Sequence, residues 1–265
     1  MKKFFDKGLN IFKNDKLVGF FKHAETWSEK IGLICLYVCM PIVGIGFCYN
    51  YGAALNKVVA HPALLAVGFI IACFLFGYIA EKMLEYVRPS IDQAKTNIVN
   101  GSFFDVLAFL FGIITLISGI VAIVLLCSGE FQDFVGTVAV CILTLYFVTI
   151  LTSPEKMLNV QIKDSATPAQ SLISLVSFLV KAAYRMVPVA FGVALVFAVV
   201  NGIDFAFIMK SVSPLKLISY LESFGFYALL PLIGYFAFLT YYFVLDLCMS
   251  LFRIADAVEG KNKAK

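Results

Sequence analysis

The sequence predicts an all-α, polytopic integral membrane protein with six transmembrane helices and two interfacial amphipathic helices. The composition, six long apolar stretches and an uneven distribution of positive charge predict it. Hydrophobic residues make up 61% of the 265 residues and charged residues 14%, and the mean hydropathy is +0.92. A soluble domain carries about 25% charged residues. The chain is therefore too apolar for a soluble domain, and its length suits one compact bundle.

Six apolar stretches are long enough to cross a bilayer, because a spanning helix needs about 20 residues at a rise of about 1.5 Å per residue. The predicted spans are residues 31–51, 62–80, 106–127, 134–151, 187–203 and 224–247. With their connections they form a bundle over residues 31–258, and a basic cytoplasmic tail follows at 259–265.

The positive charges divide the seven segments outside the spans into two groups. The N-terminus, the second and fourth loops and the C-terminus hold 7, 3, 4 and 4 Lys and Arg residues, whereas the other three loops hold 1, 0 and 2. Because positive residues concentrate on the cytoplasmic side of a membrane, both termini are predicted to be cytoplasmic. No eukaryotic targeting segment is visible, so a bacterial inner membrane is the expected location.

Residues 1–30 are predicted to form a cytoplasmic amphipathic segment before the first span. A short basic helix with an aromatic face lies in the membrane interface, and Trp27 is placed where an interfacial anchor would lie. A helix that docks onto a partner is the alternative. The apolar face of this helix is formed by Phe4, Phe5, Leu9 and Phe12.

Prolines and a short connection shape the first four spans. Pro41 lies at the middle of the first span, where a missing backbone hydrogen bond predicts a bend. The second span continues as an amphipathic stretch that Pro89 is predicted to end. Only residues 128–133 join the third and fourth spans, so these two are predicted to form an antiparallel helical hairpin.

The fourth loop is predicted to contain the second interfacial helix. Pro168 is a typical first helical residue, and residues 168–186 are predicted to lie in the interface and to bend at Pro188 into the fifth span. The polar face carries Lys181 and Arg185, which are predicted to contact anionic lipid head groups or an acidic partner, unless this face is simply solvated. Alternatively, this helix itself crosses the membrane and makes seven spans, which the charge asymmetry disfavours.

Ionisable residues within the spans are the candidates for function, because a charge inside a bilayer is costly. Asp105 lies at the start of the third span, and Asp246 lies at the cytoplasmic end of the sixth, near Tyr241 and Tyr242. These four are the candidate transport-path or polar bundle residues. Both aspartates are also close enough to the membrane surface to be hydrated or paired, which would make them structural.

Catalytic and metal-binding patterns do not appear in this sequence. The two histidines, His23 and His61, lie outside the predicted spans, whereas an intramembrane Ser–His protease needs a histidine within the bundle. The seven cysteines lie in or at the ends of spans and behave as small apolar residues. We therefore expect no enzyme activity, no catalytic residues, no metal site and no cofactor.

Two classes of function stay open. The first is a non-catalytic membrane component, such as a complex subunit, a scaffold or an assembly factor, which the scarcity of charge in the spans favours. The expected partners are then the lipid bilayer, anionic lipids included, other membrane proteins or further copies of this chain, and not nucleic acid. The alternative is a small-solute transporter or channel. A water-accessible cavity would indicate transport if it were lined by Pro41, Thr144, Tyr146, Pro231 and Tyr235.

Overall fold

The structure, a computed structural model, describes residues 15–55, 62–94, 97–98, 102–162, 168–208 and 214–263, and this part of the chain is almost entirely helical. The two short strands pair in parallel. In chain order the elements are α1 (Asp15–Ile34), a π-helical turn (Cys35–Cys39), α2 (Met40–Leu55), α3 (Pro62–Gln93), β1 (Asn97–Ile98), α4 (Ser102–Ser128), α5 (Phe131–Thr152), α6 (Pro154–Leu158), β2 (Gln161–Ile162), α7 (Pro168–Ile203), a second π-helical turn (Asp204–Ile208) and α8 (Pro214–Lys263).

Six helical units within these ranges are long and apolar enough to cross a membrane. They are the continuous unit from α1 to α2, followed by α3, α4, α5, α7 and α8. The predicted helical class and the number of long apolar helices are thereby confirmed.

Residues 15–30, which the sequence assigned to an interfacial segment, form most of α1. This helix runs through the π-helical turn into α2 and packs against α7. Its apolar stripe, which includes Val18 and Phe21, is buried inside the protein, so this segment belongs to the bundle. Outside the described residues lies the apolar face predicted further upstream, at Phe4, Phe5, Leu9 and Phe12.

The π-helical turn in the first long helix directly precedes Pro41. A proline lacks the N–H that would bond to the carbonyl four residues earlier, here Tyr37, and its ring crowds that carbonyl. In the wider turn, the N–H of Met40 bonds instead to the carbonyl of Cys35, five residues earlier. The extra residue in the turn accommodates the proline while the helix continues.

The prediction that Pro89 ends the second long helix is wrong, because α3 continues to Gln93. A proline inside a helix removes one hydrogen bond and does not abolish those that follow. Val87 and Ile91, on either side of Pro89, are completely buried. Packing of this apolar face therefore keeps the chain helical beyond the proline.

The predicted hairpin of the third and fourth long helices is present as α4 and α5. Gly129, in the turn between them, has a φ of +80°, a left-handed conformation that glycine adopts without steric cost. The hydroxyls of Thr115 and Thr144 are 2.9 Å apart across this pair of helices. At the start of α4, Phe104 also packs against Phe178 of α7.

The predicted bend at Pro188 does not interrupt the fifth long helix. α7 is one helix of 36 residues, about 54 Å long, with Pro188 inside it. Val187 and Val189 are buried against neighbouring helices, so packing holds both halves of α7 in one element. The seven-span alternative requires the chain to reverse direction between residues 186 and 187, whereas α7 is continuous there, and the described residues contain six long apolar helices.

α8 is the longest helix, with 50 residues and a length of about 75 Å. It lies antiparallel to α7, since Tyr220 near its start bonds to Ala198 whereas Tyr241 bonds to Ser177, earlier in α7. Part of the predicted basic tail at 259–265 belongs to this helix, which reaches Lys263.

Glycines bring the first long helix and α7 into backbone contact. A Cβ atom at Gly192 would lie 2.2 Å from Oγ and 2.3 Å from the carbonyl oxygen of Ser28. One turn later, a Cβ atom at Gly32 would meet the ring of Phe191 at 2.5 Å. The hydroxyl of Ser28 also donates to the carbonyl of Val189 at 3.2 Å. Such contacts between small residues let two helices approach closely. They also set the distance between Glu25 and Arg185, which lie one turn before Ser28 and Val189.

Candidate functional site

An ion pair between Glu25 of α1 and Arg185 of α7 lies in the interior of the bundle. Nε of Arg185 donates to Oε1 of Glu25 at 2.6 Å, and Nη2 donates to Oε2 at 2.7 Å. Glu25 is 1% exposed and Arg185 is 6% exposed. Two parallel charge-assisted hydrogen bonds form the strongest side-chain pair available to a carboxylate.

The helix crossing explains why these two side chains meet. Glu25 and Gly32 are seven residues apart on α1, and Arg185 and Gly192 are seven residues apart on α7. In two helices that run in the same direction, equal spacing brings both pairs to matching levels, two turns apart. The close contact at the glycines thus sets the distance at which the guanidinium reaches the carboxylate.

Two further helices contribute to the same network. The hydroxyl of Tyr146 on α5, itself completely buried, donates to Oε1 of Glu25. Arg88 on α3 places Nε 4.0 Å from Oε2 of Glu25 and Nη2 3.5 Å from Oε2 of Glu29. The same Nη2 donates to the hydroxyl of Thr26 at 2.8 Å. Since the side chain of Arg88 is 41% exposed, it forms the open edge of the network.

Lys181, one helical turn before Arg185, is also buried, with no exposed surface. Its Nζ donates to the carbonyl oxygen of Ala94 at 2.6 Å, directly after the last residue of α3. The carbonyls at the C-terminal end of a helix have no intrahelical donor and carry partial negative charge, which a lysine there neutralises. Lys181 therefore caps α3 from α7.

We call Glu25, Glu29, Arg88, Arg185 and Tyr146 the charge network. It holds two carboxylates and two guanidinium groups, so its charges balance. Both oxygens of Glu25 accept hydrogen bonds, Oε1 from Arg185 and Tyr146, and Oε2 from Arg185. The hydrogen bonds and ion pairs of the charge network connect α1, α3, α5 and α7.

The structure corrects the predicted position of Lys181 and Arg185. The sequence placed them on a polar face turned toward lipid head groups, a partner or solvent, whereas both side chains point into the bundle and bond to α3 and α1. The physical reason is that α1 and the end of α3 supply Glu25 and the Ala94 carbonyl as internal partners. Lys181 and Arg185 are too deeply buried in the chain to contact a lipid or a partner protein.

The four candidate transport-path residues do not form one site with the charge network. The hydroxyl of Tyr241 bonds to Ser177 at 2.8 Å, and Tyr242 packs its ring against Phe238. Asp246 is exposed on the far part of α8, and Asp105 is half-buried in the first turn of α4.

Sequence reasoning did not single out Glu25, although a signal was present. Val18, Phe21, Glu25, Ser28 and Gly32 follow the three- and four-residue spacing that places residues on one helical face. A carboxylate on an apolar stripe is expected to find an internal partner. The identity of that partner, 160 residues away, was not visible in the spacing.

Four cavities between described helices have volumes of about 280, 520, 460 and 250 Å³. None of these four is lined by Glu25, Tyr146, Lys181 or Arg185. Their linings also lack Pro41, Thr144, Tyr146, Pro231 and Tyr235, the five residues whose shared cavity would indicate transport. Of the four candidate transport-path residues, Tyr241 lines the cavity of about 250 Å³. Thr144 instead bonds to Thr115, and Tyr235 packs against Tyr86.

Among the residues whose side chains are described, no group of three or more His, Cys, Asp and Glu side chains could hold a metal ion. Comparison with protein-family models, with curated proteins and with solved structures finds no match to this chain.

Proposed function

We propose that the chain is a six-span integral protein of a bacterial inner membrane, with both termini in the cytoplasm, and that it works as a non-catalytic component of a membrane assembly. The roles in question are a complex subunit, a scaffold or an assembly factor. The observation that carries this proposal is the charge network, in which the buried charges of α1 and α7 are engaged with each other. Polar groups that bind or convert a substrate would instead be expected to face a cavity.

The outer surface of α4 is the surface on which we expect a partner to pack. α4 lies at the edge of the bundle and packs mainly against α5. Many of its large apolar side chains are exposed, among them Leu116 at 66% and Ile120 at 56%. In a membrane such a face contacts either lipid chains or the helix of another protein.

Co-purification combined with site-specific cross-linking tests this proposal. The tagged full-length chain is isolated in mild detergent from the cells that produce it, and co-eluting proteins are quantified by mass spectrometry. A photo-reactive amino acid is placed at Ile120 and, as a matched control, at Phe74 of α3, which is 50% exposed. We expect one stoichiometric partner protein that cross-links from Ile120 and not from Phe74. A chain that elutes alone and cross-links only to lipid from both positions would contradict the proposal.

The proposed topology can be tested separately with two cysteines. Cys127 near the end of α4 and Cys248 on the far part of α8 are both exposed. In single-cysteine variants of intact cells, a membrane-impermeant thiol reagent should label Cys127 and leave Cys248 unlabelled until the membrane is permeabilised. Labelling of Cys248 in intact cells would overturn the cytoplasmic C-terminus.

Transport is the second candidate function, because ionisable groups inside a helical bundle often serve proton or ion movement. The first long helix also contains the π-helical turn at Cys35–Cys39, about three turns after Glu25. Irregular helices of this kind line transport paths in membrane proteins. In proteoliposomes with an imposed pH gradient, a proton leak that Glu25→Gln abolishes would favour this candidate. Equal leak rates in the wild type, the variant and empty liposomes would count against it.

A further inference from the structure

The far half of α8 exposes large apolar side chains that no other described part of the chain covers. Phe236 is 57% exposed, Phe243 is 65% exposed and Leu247 is 50% exposed. A contiguous apolar patch of this kind marks a surface that contacts either lipid chains or another protein. Which of the two applies here depends on where along α8 the hydrocarbon core of the membrane ends.

The edge of the hydrocarbon core follows from exposed charges on α3, which lies beside α8. Phe76 packs against Phe224 and Tyr86 packs against Tyr235, with ring centroids 6.4 and 6.1 Å apart. The two helices therefore run in the same direction, and Tyr86 lies level with Tyr235. The side chain of Lys82, one turn before Tyr86, is 44% exposed and belongs to an exposed ion pair. Because an exposed charge inside the hydrocarbon is costly, the core ends no further along α8 than Tyr235 in the proposed membrane insertion.

The lengths of both helices agree with this edge. From Pro214 to Tyr235, α8 is about 33 Å long, and from Pro62 to Glu81, α3 is about 30 Å long. Each length is enough to cross the hydrocarbon core of about 30 Å. The sixth span then ends near Tyr235 instead of Leu247, and the apolar side chains beyond it face water on the cytoplasmic side.

Exposed positions along this part of α8 repeat at alternating steps of four and three residues. Among the described side chains they are Ile233, Ala237, Thr240, Val244 and Leu247. The same steps continue in the sequence at Leu251, Ile254 and Val258, and α8 is helical through all of them. We call these positions the α8 seam. Such a repeat, sustained over about three to four heptads, is typical of helices that pair in a coiled coil.

We propose that the α8 seam pairs with the α8 seam of a second copy of this chain. Two chains in one membrane have the same orientation, so their α8 helices run parallel and each seam residue faces its own counterpart. Pairing from Ile233 to Val258 extends for about 39 Å. If it covers about a third of each helix, of about 11 Å diameter, it removes about 1,100 Å² from contact with water molecules of about 1.4 Å radius. A specific interface needs about 1,000 Å², so the seam is just large enough for a stable pair.

Disulfide cross-linking in membranes tests the pairing. The full-length chain carries one cysteine, introduced as Val244→Cys or Leu247→Cys in the seam, or as the control Met249→Cys, which is 43% exposed and lies outside the seam. Because a disulfide needs Cα atoms about 4.4–6.8 Å apart, we expect about tenfold more product of twice the chain mass from both seam positions than from Met249.

The mass of the full-length chain in mild detergent is the second measurement. Leu247 is exposed within one chain, so Leu247→Asp leaves the bundle intact but brings two like charges together in the pair. We expect the wild type and the control Met249→Asp to have the mass of two chains, and Leu247→Asp to have the mass of one.

The position of the membrane edge is tested separately, because the pairing rests on the proposed membrane insertion. In permeabilised cells, Leu239→Cys, on α8 outside the seam, should react with a water-soluble maleimide, whereas Phe74→Cys on α3 should not. Both positions are exposed on the surface of the chain, at 43% and 50%. An unreactive Leu239→Cys would place this part of α8 in hydrocarbon and overturn the proposal. Reaction at both positions would contradict the membrane insertion itself.

Three other results would overturn the pairing and leave the proposed partner at α4 unaffected. They are a wild type with the mass of one chain, equal cross-linking from Leu247 and Met249, and a cross-linked product whose mass is not that of two chains. The last result would identify another protein as the occupant of the seam.

Discussion

Replacing Glu25 by methionine should destabilise the protein more than replacing Arg185 by methionine. Breaking a buried ion pair by removing one partner costs about 3–5 kcal/mol, because the remaining charge stays buried without compensation. Without Glu25, both the guanidinium of Arg185 and the hydroxyl of Tyr146 lose their acceptor. We therefore expect the Glu25→Met loss near the upper end, at about 5 kcal/mol.

Without Arg185, the carboxylate of Glu25 still has two partners. The Tyr146 hydroxyl remains bonded to it, and Nε of Arg88 lies 4.0 Å from Oε2. At that distance and an effective dielectric constant of about 20, two unit charges attract by about 4 kcal/mol before the cost of desolvation. Arg88 can therefore compensate for part of the lost charge, and the Arg185→Met variant should lose about 3 kcal/mol of stability.

The double variant Glu25→Met/Arg185→Met should be more stable than either single variant. Replacing a whole buried ion pair by apolar residues of similar volume is often neutral, and the remaining loss is that of the unpaired Tyr146 hydroxyl, about 1–3 kcal/mol. The assay is reversible unfolding in mixed micelles with increasing SDS, followed by circular dichroism. The control is the same pair of substitutions at Lys82 and Glu85, an exposed ion pair on α3.

Two outcomes would refute this reasoning. If the single variants lose no more free energy of unfolding than the Lys82 and Glu85 controls, the Glu25–Arg185 pair stabilises the protein no more than a surface pair does. A double variant whose loss equals the sum of the single losses would show that the two side chains are not coupled.

Further outcomes follow from the contacts of α7. Gly192→Val should lower the free energy of unfolding by about 1–3 kcal/mol, because its Cβ would lie 2.2 Å from Oγ of Ser28. The control is Gly68→Val, where an added Cβ atom meets nothing within 4 Å. Equal losses in the two variants would argue against the close crossing of α1 and α7. Tyr220→Phe should cost about 1 kcal/mol in the same unfolding assay, because the carbonyl of Ala198 loses its 3.0 Å hydrogen bond. An unchanged unfolding midpoint for this variant would show that the bond contributes nothing to stability.

Much of the fold could be predicted from composition and chain order. Six long apolar helices, with the tight hairpin of α4 and α5 among them, follow from the length of each apolar run and from the few residues between two of them. The end of a helix at Pro89 could not be predicted in this way. Pro89 lies inside α3, because buried neighbours such as Ile91 hold the chain where the proline removes only one hydrogen bond.

The sequence by itself determined which segments are apolar enough to leave water and which contain the charges, since both depend only on local composition. The tertiary structure decided where Lys181 and Arg185 point, because that depends on the partners that α1 and α3 bring to α7. Glu25 and Arg185 are 160 residues apart, and no periodicity connects them. Only the close crossing at Gly192 brings them together, and there each charge gains a hydrogen-bonded partner that offsets the cost of its burial.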